Sequence, residues 1–403
     1  MSKKSFQPTV IAIIGGGRWA RVIAKIAHSV TSKTVKIIIF SNLNNADMKK
    51  WVRENSFNRI SIKRNYKNLK EREIDAAIIA NASQDHEIAA SIAIKNKIPV
   101  LIEKPVALSL AGIMELQELS KKNNSILYAS NVFLFSQSIN NFAKKIKGRR
   151  VDSIDFIWTD PSKETRYGEV KNYDPSIPIF IDWLPHIIPI LRFVFKNQPI
   201  KLVEFKYNRG GALLVIELQI GKTPCKVRMQ RNGFKRVRKI SIEGASLLSL
   251  DFADEPGVIR DNSKLLSSYL ELKTKNSPAT RMIQFFLKHL VKKTTDQKLS
   301  FNESIQAGII SEEVSKLYKE EQENFFQKFL LNDNLSNIEI QDFEYFFKEL
   351  FYSHNINDPE NIKTIREFIA NQIKIKDHQH LSVDEFLKKL KSQRLGDSNL
   401  NEP

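Results

Sequence analysis

Gly15-Gly16-Gly17-Arg18-Trp19-Ala20 stands between two patterns that cannot be confused with each other. Before it runs Val10-Ile11-Ala12-Ile13-Ile14, a short apolar stretch of the kind that forms a buried strand. After it, Val22, Ile23, Ile26, Ala27 and Val30 recur at helical spacing on one face. Strand, glycine turn and helix in that order begin a dinucleotide-binding βαβ unit. Gly15 allows the tight turn, Gly17 lets the backbone approach a pyrophosphate, and Ala20 lets the helix pack close to its strand. The helix N-terminus is then free to face the anion. A glycine turn alone also occurs in other βα units, so the flanking pattern carries the reading.

The same alternation continues. Residues 35–40, 75–80, 98–102 and 126–129 are strand-like, and 85–95 and 109–122 are helical. Short apolar strands spaced by helices predict a doubly wound parallel sheet covered on both faces, over residues 1–131. After about residue 150 the pattern changes. Residues 151–158, 201–207, 212–220, 225–230, 238–243 and 246–252 read as strands joined by short turns, and helices return at 280–293 and 304–321. The expected fold is therefore α/β in the first domain, an α+β domain with a mostly antiparallel open sheet over 132–324, and a helical extension over 325–403. In that extension Phe343, Phe346, Phe347, Leu350 and Phe351 form one apolar stripe, predicting either packing against the core or the docking of a protein partner.

The segment from residue 75 reads Asp-Ala-Ala-Ile-Ile-Ala-Asn-Ala-Ser-Gln-Asp-His, then a helix, then Ile98-Pro-Val-Leu-Ile-Glu-Lys-Pro-Val-Ala-Leu-Ser109. With the glycine turn about ninety residues upstream, Glu103-Lys104-Pro105 resembles the glucose-fructose oxidoreductase, inositol dehydrogenase and rhizopine-catabolism (Gfo/Idh/MocA) family over roughly residues 8–324. The resemblance implies a Rossmann-type first domain and an NAD(P)-dependent oxidoreductase acting on a sugar, a nucleotide-linked sugar or a cyclitol. It assigns proton transfer to Lys104, with Glu103 against the nicotinamide ribose and Pro105 aiming the lysine into the cleft. The chemistry suits a lysine, because hydride transfer from a carbinol needs a group that takes the hydroxyl proton and also polarises the carbonyl. Burial and neighbouring cations lower a lysine's pKa into the range that does both.

The resemblance also implies an Asp-x-x-x-His pair from the second domain, here Asp182-Trp183-Leu184-Pro185-His186. A spacing of four places both side chains on one helix face. His186 is the implied acid/base, and Asp182 its partner or a substrate anchor; the plainer alternative is a helix-capping Asp182 beside a packed His186. The chain departs from the family in having Pro178-Ile179-Phe180-Ile181 where glycines are usual, and Pro189 where a further aspartate is usual. Two prolines inside a helix cost about 3 kcal/mol each, so one of Pro185 and Pro189 is expected to start or kink it. The pocket is expected to be more apolar than a plain polyol site.

Cofactor choice is read at the end of the second strand, where an acidic residue would bind the ribose 2′-hydroxyl. Here Phe40-Ser41-Asn42-Leu43-Asn44-Asn45 brings no acid before Asp47, and Lys49 and Lys50 follow. Ser41 and Asn42 can donate to a 2′-phosphate, which favours NADP(H) over NAD(H). Arg18, Trp19 and Asn81 complete the expected cofactor contacts, and His86 is as well suited to a structural part as to a functional one.

Composition narrows the alternatives. The chain has 403 residues, 42% of them apolar, and one cysteine, Cys225, which excludes an intramolecular disulfide and suits the reducing cytoplasm. Seven dispersed histidines, His378 and His380 in a polar stretch among them, give no metal-ligand spacing, so no metal is expected. Residues 177–195 are nearly membrane-length but carry Asp182, His186, Arg192 and three prolines, against a transmembrane span. No secretory signal is read, and the protein is expected to be soluble. The net charge is +18, and ten Lys and Arg against thirteen Asp and Glu beyond residue 324 leave +21 for the first 324. These cations are scattered, with no aromatic-interleaved ribbon, so nucleic acid is not expected; the basic field favours an anionic or polar small molecule. A homo-oligomer formed through the open sheet face is implied by the resemblance. Two rival functions remain: NADPH-dependent imine reduction, suited by Phe133, Phe135, Phe180 and Trp183 near the pocket, and a cofactor-binding scaffold without turnover.

Overall fold

The computed structural model describes residues 8–70, 73–166, 169–171, 173–267, 276–290, 294, 296–331, 335–354, 356 and 381–398. The first domain alternates strand and helix: β1 (Val10–Ile14), α1 (Arg18–Val30), β2 (Lys36–Phe40), α2 (Asn45–Glu54), β3 (Ile60–Lys63), β4 (Ala76–Ile79), α3 (His86–Lys95), β5 (Val100–Ile102), α4 (Leu110–Lys122) and β6 (Leu127–Ala129). Its six strands pair in the order β3-β2-β1-β4-β5-β6, all parallel. Every residue of β4, β5 and β6 is buried, as strands covered on both faces must be. Helix α1 buries Ala20, Ile23, Ala24 and Ala27, so its small residues meet the sheet. The carboxyl ends of β1, β4 and β5 lie side by side, which brings Gly15, Asn81 and Lys104 to one edge of the sheet. Strand β3, not anticipated from the sequence, is four residues of alternating Ile and polar residues, too short for periodicity to mark.

The second domain holds α5 (Gln137–Ile146), β7 (Ser153–Pro161), the short hairpin β8 (Glu164–Arg166) and β9 (Glu169–Lys171), and α6 (Ile179–Val194). Then come β10 (Ile200–Asn208), β11 (Leu213–Ile220), β12 (Thr223–Gly233), β13 (Val237–Glu243), β14 (Leu248–Asp251), β15 (Val258–Asp261) and β16 (Lys264–Ser267). Eight strands form one sheet ordered β10-β11-β12-β7-β13-β14-β15-β16. It is antiparallel except where β12 runs parallel to β7. The sheet extends two strands beyond the six read from the sequence, because β15 and β16 alternate polar and apolar residues weakly. Pro185 and Pro189, one of which was expected to start or kink the helix, both lie inside α6, and Pro178 holds the position before its first turn. The helix persists because Ile179, Phe180, Leu184, Ile187, Ile188, Ile190 and Leu191 are wholly or almost wholly buried against the sheet. That burial outweighs the backbone bonds that Pro185 and Pro189 cannot donate.

Helices α7 (Pro278–Lys288) and α8 (Asn302–Leu331) follow. Met282, Ile283 and Phe286 of α7 join the core of the first domain, although they lie in the segment assigned to the second. Helix α8 runs unbroken through residue 324, where the extension was expected to begin. The extension adds α9 (Asn337–Ser353) and α10 (Val383–Ser398). Ser336 and Glu339 start α9 with a reciprocal capping box. Phe343, Phe346, Phe347, Leu350 and Phe351 are buried together with Phe326, Phe329 and Phe386, so the predicted stripe is spent on an internal core shared with the end of α8. His378 and His380 lie outside the described residues. Among the described residues no helix is long and apolar enough to cross a membrane.

Candidate active site

A cavity of about 660 Å³ opens between the carboxyl edge of the parallel sheet and the second sheet. Arg18, Trp19, Asn81, Glu103 and Lys104 line it from the first domain, and Asp182 and His186 from α6. The glycine turn lies directly before Arg18 and Trp19, which line the cavity. Gly15 has φ +140, and a Cβ there would lie 2.2 Å from the Ala80 carbonyl oxygen, so only glycine fits between β1 and the end of β4. A Cβ on Gly16 would lie 2.0 Å from Ser41 Oγ, whereas one on Gly17 would meet nothing within 4 Å. Gly17 precedes the first turn of α1, and that turn has neither a side-chain cap nor an acidic residue. The space beside Gly17 and the uncapped first turn leave room for an anion.

Ser41 is buried beneath this turn, and Asn42 is exposed beyond it. Asn44 Nδ2 donates to the Gly16 carbonyl at 3.4 Å, and Asn45 Nδ2 to that of Ser41 at 3.1 Å. At the end of β4 the Asn81 Oδ1 acceptor is buried without a hydrogen-bond partner, an orphaned group that a bound molecule would satisfy. The residues present thus fit a dinucleotide: an open amide cradle, no acid beside Ser41, and an unspent acceptor at the cavity wall. His86 braces the wall. Its Nδ1 lies 2.7 Å from the Pro105 carbonyl and its Nε2 3.2 Å from that of Asn81, tying the loops after β4 and β5 together. Burial lowers its pKa, opposed by the two carbonyls that face its ring nitrogens.

Glu103 is buried, and burial raises its carboxyl pKa, opposed by the Ser130 hydroxyl, the Trp19 indole and the Lys104 charge. Ser130 Oγ donates to Glu103 Oε1 at 2.7 Å. The next residue turns into the cleft. Lys104 Nζ lies 2.5 Å from Asp182 Oδ1 and 3.2 Å from the Asp182 carbonyl, spanning the two domains. The other Asp182 oxygen accepts from Arg231 Nη2 at 3.1 Å. His186, one turn further along α6, stacks on Trp158 with ring centroids 5.6 Å apart and meets Phe133 edge-on at 4.9 Å. Lys104, Asp182 and His186 are therefore brought to one cavity, with the histidine held between aromatic rings.

The arginines of this cavity were not singled out from the sequence. Strands β12 and β13 flank β7, so the turn joining them arches over the end of β7. That arch gathers Arg236 and Arg238 on Asp160, while Arg231 pairs with Asp182. Arg238 Nη2 donates to Asp160 Oδ1, Arg236 Nη1 lies 3.2 Å from the same oxygen, and the Arg238 guanidinium sits 3.9 Å above the Trp158 ring. Burial lowers the Arg238 pKa to about 9, with Asp160 opposing it. The only local signal was Arg231-Asn-Gly-Phe-Lys-Arg-Val-Arg238, a basic run around a turn, whose convergence on Asp160 depends on long-range register. Five Lys and Arg line the cavity against seven Asp and Glu, so the basic balance of the whole chain does not extend to this site.

Residues 9–131 match the family model described as the oxidoreductase family with an NAD-binding Rossmann fold. Human biliverdin reductase A is 29% identical over 101 residues, which are 25% of this chain and 34% of that protein. The chain thus spans about a third of the length of the curated relative it matches. Among solved structures, the UDP-N-acetylglucosamine 3-dehydrogenase of Acidithiobacillus ferrooxidans superposes with a TM-score of 0.60 at 15% identity, over 75% of this chain and 94% of that one. The 3-ketoreductase of Actinomadura kijaniata, in complex with TDP-benzene and NADP, gives 0.60 at 14% identity, over 75% and 95%. The biliverdin reductase of Synechocystis, in complex with biliverdin and NADP+, gives 0.59 at 16% identity, over 76% and 98%. These identities establish a shared fold, and the family match rests on the first domain. Residues 9–131 are thus similar to the oxidoreductase family with its NAD-binding Rossmann fold.

Proposed function

We propose that the protein is an NADP(H)-dependent oxidoreductase acting on a sugar, a nucleotide-linked sugar or a cyclitol. The observation that carries this reading is Lys104 Nζ at 2.5 Å from Asp182 Oδ1, across a cavity that also holds His186 and is lined by Arg18 and Trp19 beside the glycine turn. The nicotinamide of the bound cofactor supplies the hydride exchange. Gly15, Gly17 and Arg18 hold the pyrophosphate end, and Trp19, Asn81 and Glu103 position the nicotinamide ribose. Ser41 and Asn42, with no acid beside them, favour the 2′-phosphate over the plain ribose. Lys104 takes the proton of the reacting hydroxyl, or returns it in the reverse direction, while Asp182 fixes the amine. His186 exchanges that proton with solvent from the same helix face.

A titration of the purified protein with NADPH and with NADH, followed by nucleotide fluorescence, tests the reading in wild type and in Gly17→Trp. Binding at about micromolar Kd, tighter for NADPH and lost in the variant, is the expected result. Absence of binding for both nucleotides would remove the basis of the oxidoreductase reading.

A second reading has its own observation. Phe133, Trp158, Trp183 and Phe252 line the cavity beside His186, a wall suited to a flat conjugated substrate with a reducible double bond. The biliverdin reductases among the similar proteins reduce such a molecule by name. Incubation with NADPH and biliverdin, followed by visible absorbance, separates the readings: turnover there and none on a sugar panel selects the conjugated substrate.

A further inference from the structure

Beyond the two domains, one turn of α9 reaches the site. The helix docks where the chain between β10 and β11 leaves no room for side chains. Gly210 has φ +61, and a Cβ on it would lie 2.0 Å from the Asp342 carbonyl oxygen. Arg209 Nε lies 3.1 Å from Asp342 Oδ1 and fixes the same turn. This docking carries Tyr345, itself buried, to the back of the cavity wall, 6.2 Å from the ring of Tyr173.

Arg231 connects that helix to Lys104. Its side chain is 2% exposed, and its two terminal nitrogens find partners while Nε has no hydrogen-bond partner. Nη1 donates to the Ile177 carbonyl at 2.8 Å and to Tyr345 Oη at 3.3 Å, and Nη2 donates to Asp182 Oδ2 at 3.1 Å. The guanidinium also lies 4.7 Å above the Tyr173 ring. Asp182 therefore divides its two oxygens between Arg231 and Lys104. A carboxylate shared by two cations holds each proton-bearing partner less firmly than one it serves alone. Behind Tyr345, one turn on, Glu349 accepts from the Tyr318 hydroxyl of α8 and anchors the far side of the network.

We propose that α9 is a working part of the active site, with Tyr345 as a positioning residue: it holds Arg231 on Asp182, so that Lys104 does not have the carboxylate to itself. The inference rests on the reading of Lys104 as the proton-transfer group. It makes the C-terminal segment a determinant of the chemistry, where it would otherwise be an addition to a complete two-domain enzyme. Arg231 and Lys104 each hold one oxygen of a partly exposed carboxylate, so loosening one changes what the other is offered.

The test is competitive acetylation of the full chain with trace acetic anhydride at about pH 8, read by peptide mass spectrometry. The Lys104 rate is normalised to the exposed Lys50 and Lys121. Tyr345→Phe and Arg231→Gln are expected to slow Lys104 by about threefold or more, because each loosens or removes the cation on the other Asp182 oxygen. NADPH affinity should stay within about twofold, since the glycine turn lies in the other domain. An unchanged normalised rate in folded Tyr345→Phe, with only a lower melting temperature, would show that α9 merely braces the fold and overturns the proposal, as would a faster rate. Where Tyr345→Phe does not fold, Glu349→Gln, which keeps Tyr345 and its volume, should slow Lys104 in the same sense, and an unchanged rate there overturns the proposal. The labelling needs no nucleotide. A protein that fails to bind NADPH but shows the threefold effect would lose the oxidoreductase reading and keep the coupling between α9 and Lys104.

Discussion

Neighbouring glycines of the turn after β1 differ in what they tolerate. A Cβ on Gly15 collides with the Ala80 carbonyl at a positive φ, while one on Gly17 projects into open space. Gly15→Ala should therefore cost stability, on the order of 2–4 kcal/mol from strain and displacement of β4, read as a lower urea midpoint. Gly17→Trp should leave that midpoint within about 0.5 kcal/mol and abolish nucleotide binding, because its bulk lies outside the fold and inside the cradle. Equal destabilisation by both would contradict the geometry. At Lys104 the expectation is the converse. Lys104→Ala should retain NADPH binding and lose about 10²–10⁴ in kcat once a substrate is in hand, the usual worth of a positioned proton-transfer group. Loss of KM alone would make the lysine a substrate anchor.

Among the elements, α6 joins a local rule to its tertiary override. Pro185 and Pro189 each delete a backbone donor, yet the helix continues from Ile179 to Val194 because its apolar face is buried against the sheet. Sequence reasoning weighed the local cost of about 3 kcal/mol correctly and could not weigh the burial. Pro185 is only half-buried, so Pro185→Ala should restore the bond to the Ile181 carbonyl and raise stability by about 1–2 kcal/mol, the remainder being lost to a freer unfolded chain. A fall in the denaturation midpoint would instead mean that the proline ring packs usefully beside the α6–α8 groove that it lines. The same contrast explains what was legible. The first domain was readable because its signals are local: a strand, a glycine turn, a helix, and Glu103-Lys104-Pro105 after a buried run. The Asp182–His186 spacing was readable for the same reason. The arginines around Asp160 were not, since they meet only through the non-local order β12-β7-β13. Nor was the link from Tyr345 to Arg231, which spans 114 residues and depends on how α9 docks.

At the scale of the whole molecule, Glu349 lies buried where the second sheet, α8 and the extension meet. Tyr318 and Gln322 face it from α8, Tyr345 from its own helix, Arg231 from β12 and Tyr207 from β10. Burial pushes its carboxyl up to about 7, against the opposing pull of the Tyr318 hydroxyl and the Arg231 charge. A folded-state value raised above the unfolded one gives stability that is fully present below about pH 4.5 and is lost as pH rises through about 7. In that window the unfolded chain ionises the group freely, while the folded protein must keep a proton or bury a charge. At about 1.4 kcal/mol per unit, the full loss is on the order of 3–4 kcal/mol. Glu349→Gln removes the titration and keeps the shape. Urea denaturation of both proteins between about pH 5 and about pH 8 should therefore show the wild type losing stability relative to the variant as pH rises. A difference that stays flat across that range would mean that water or a structural change reaches Glu349 in solution. A difference that closes as predicted would show that assembling sheet, long helix and extension around one buried carboxyl makes the stability of the whole chain sensitive to neutral pH.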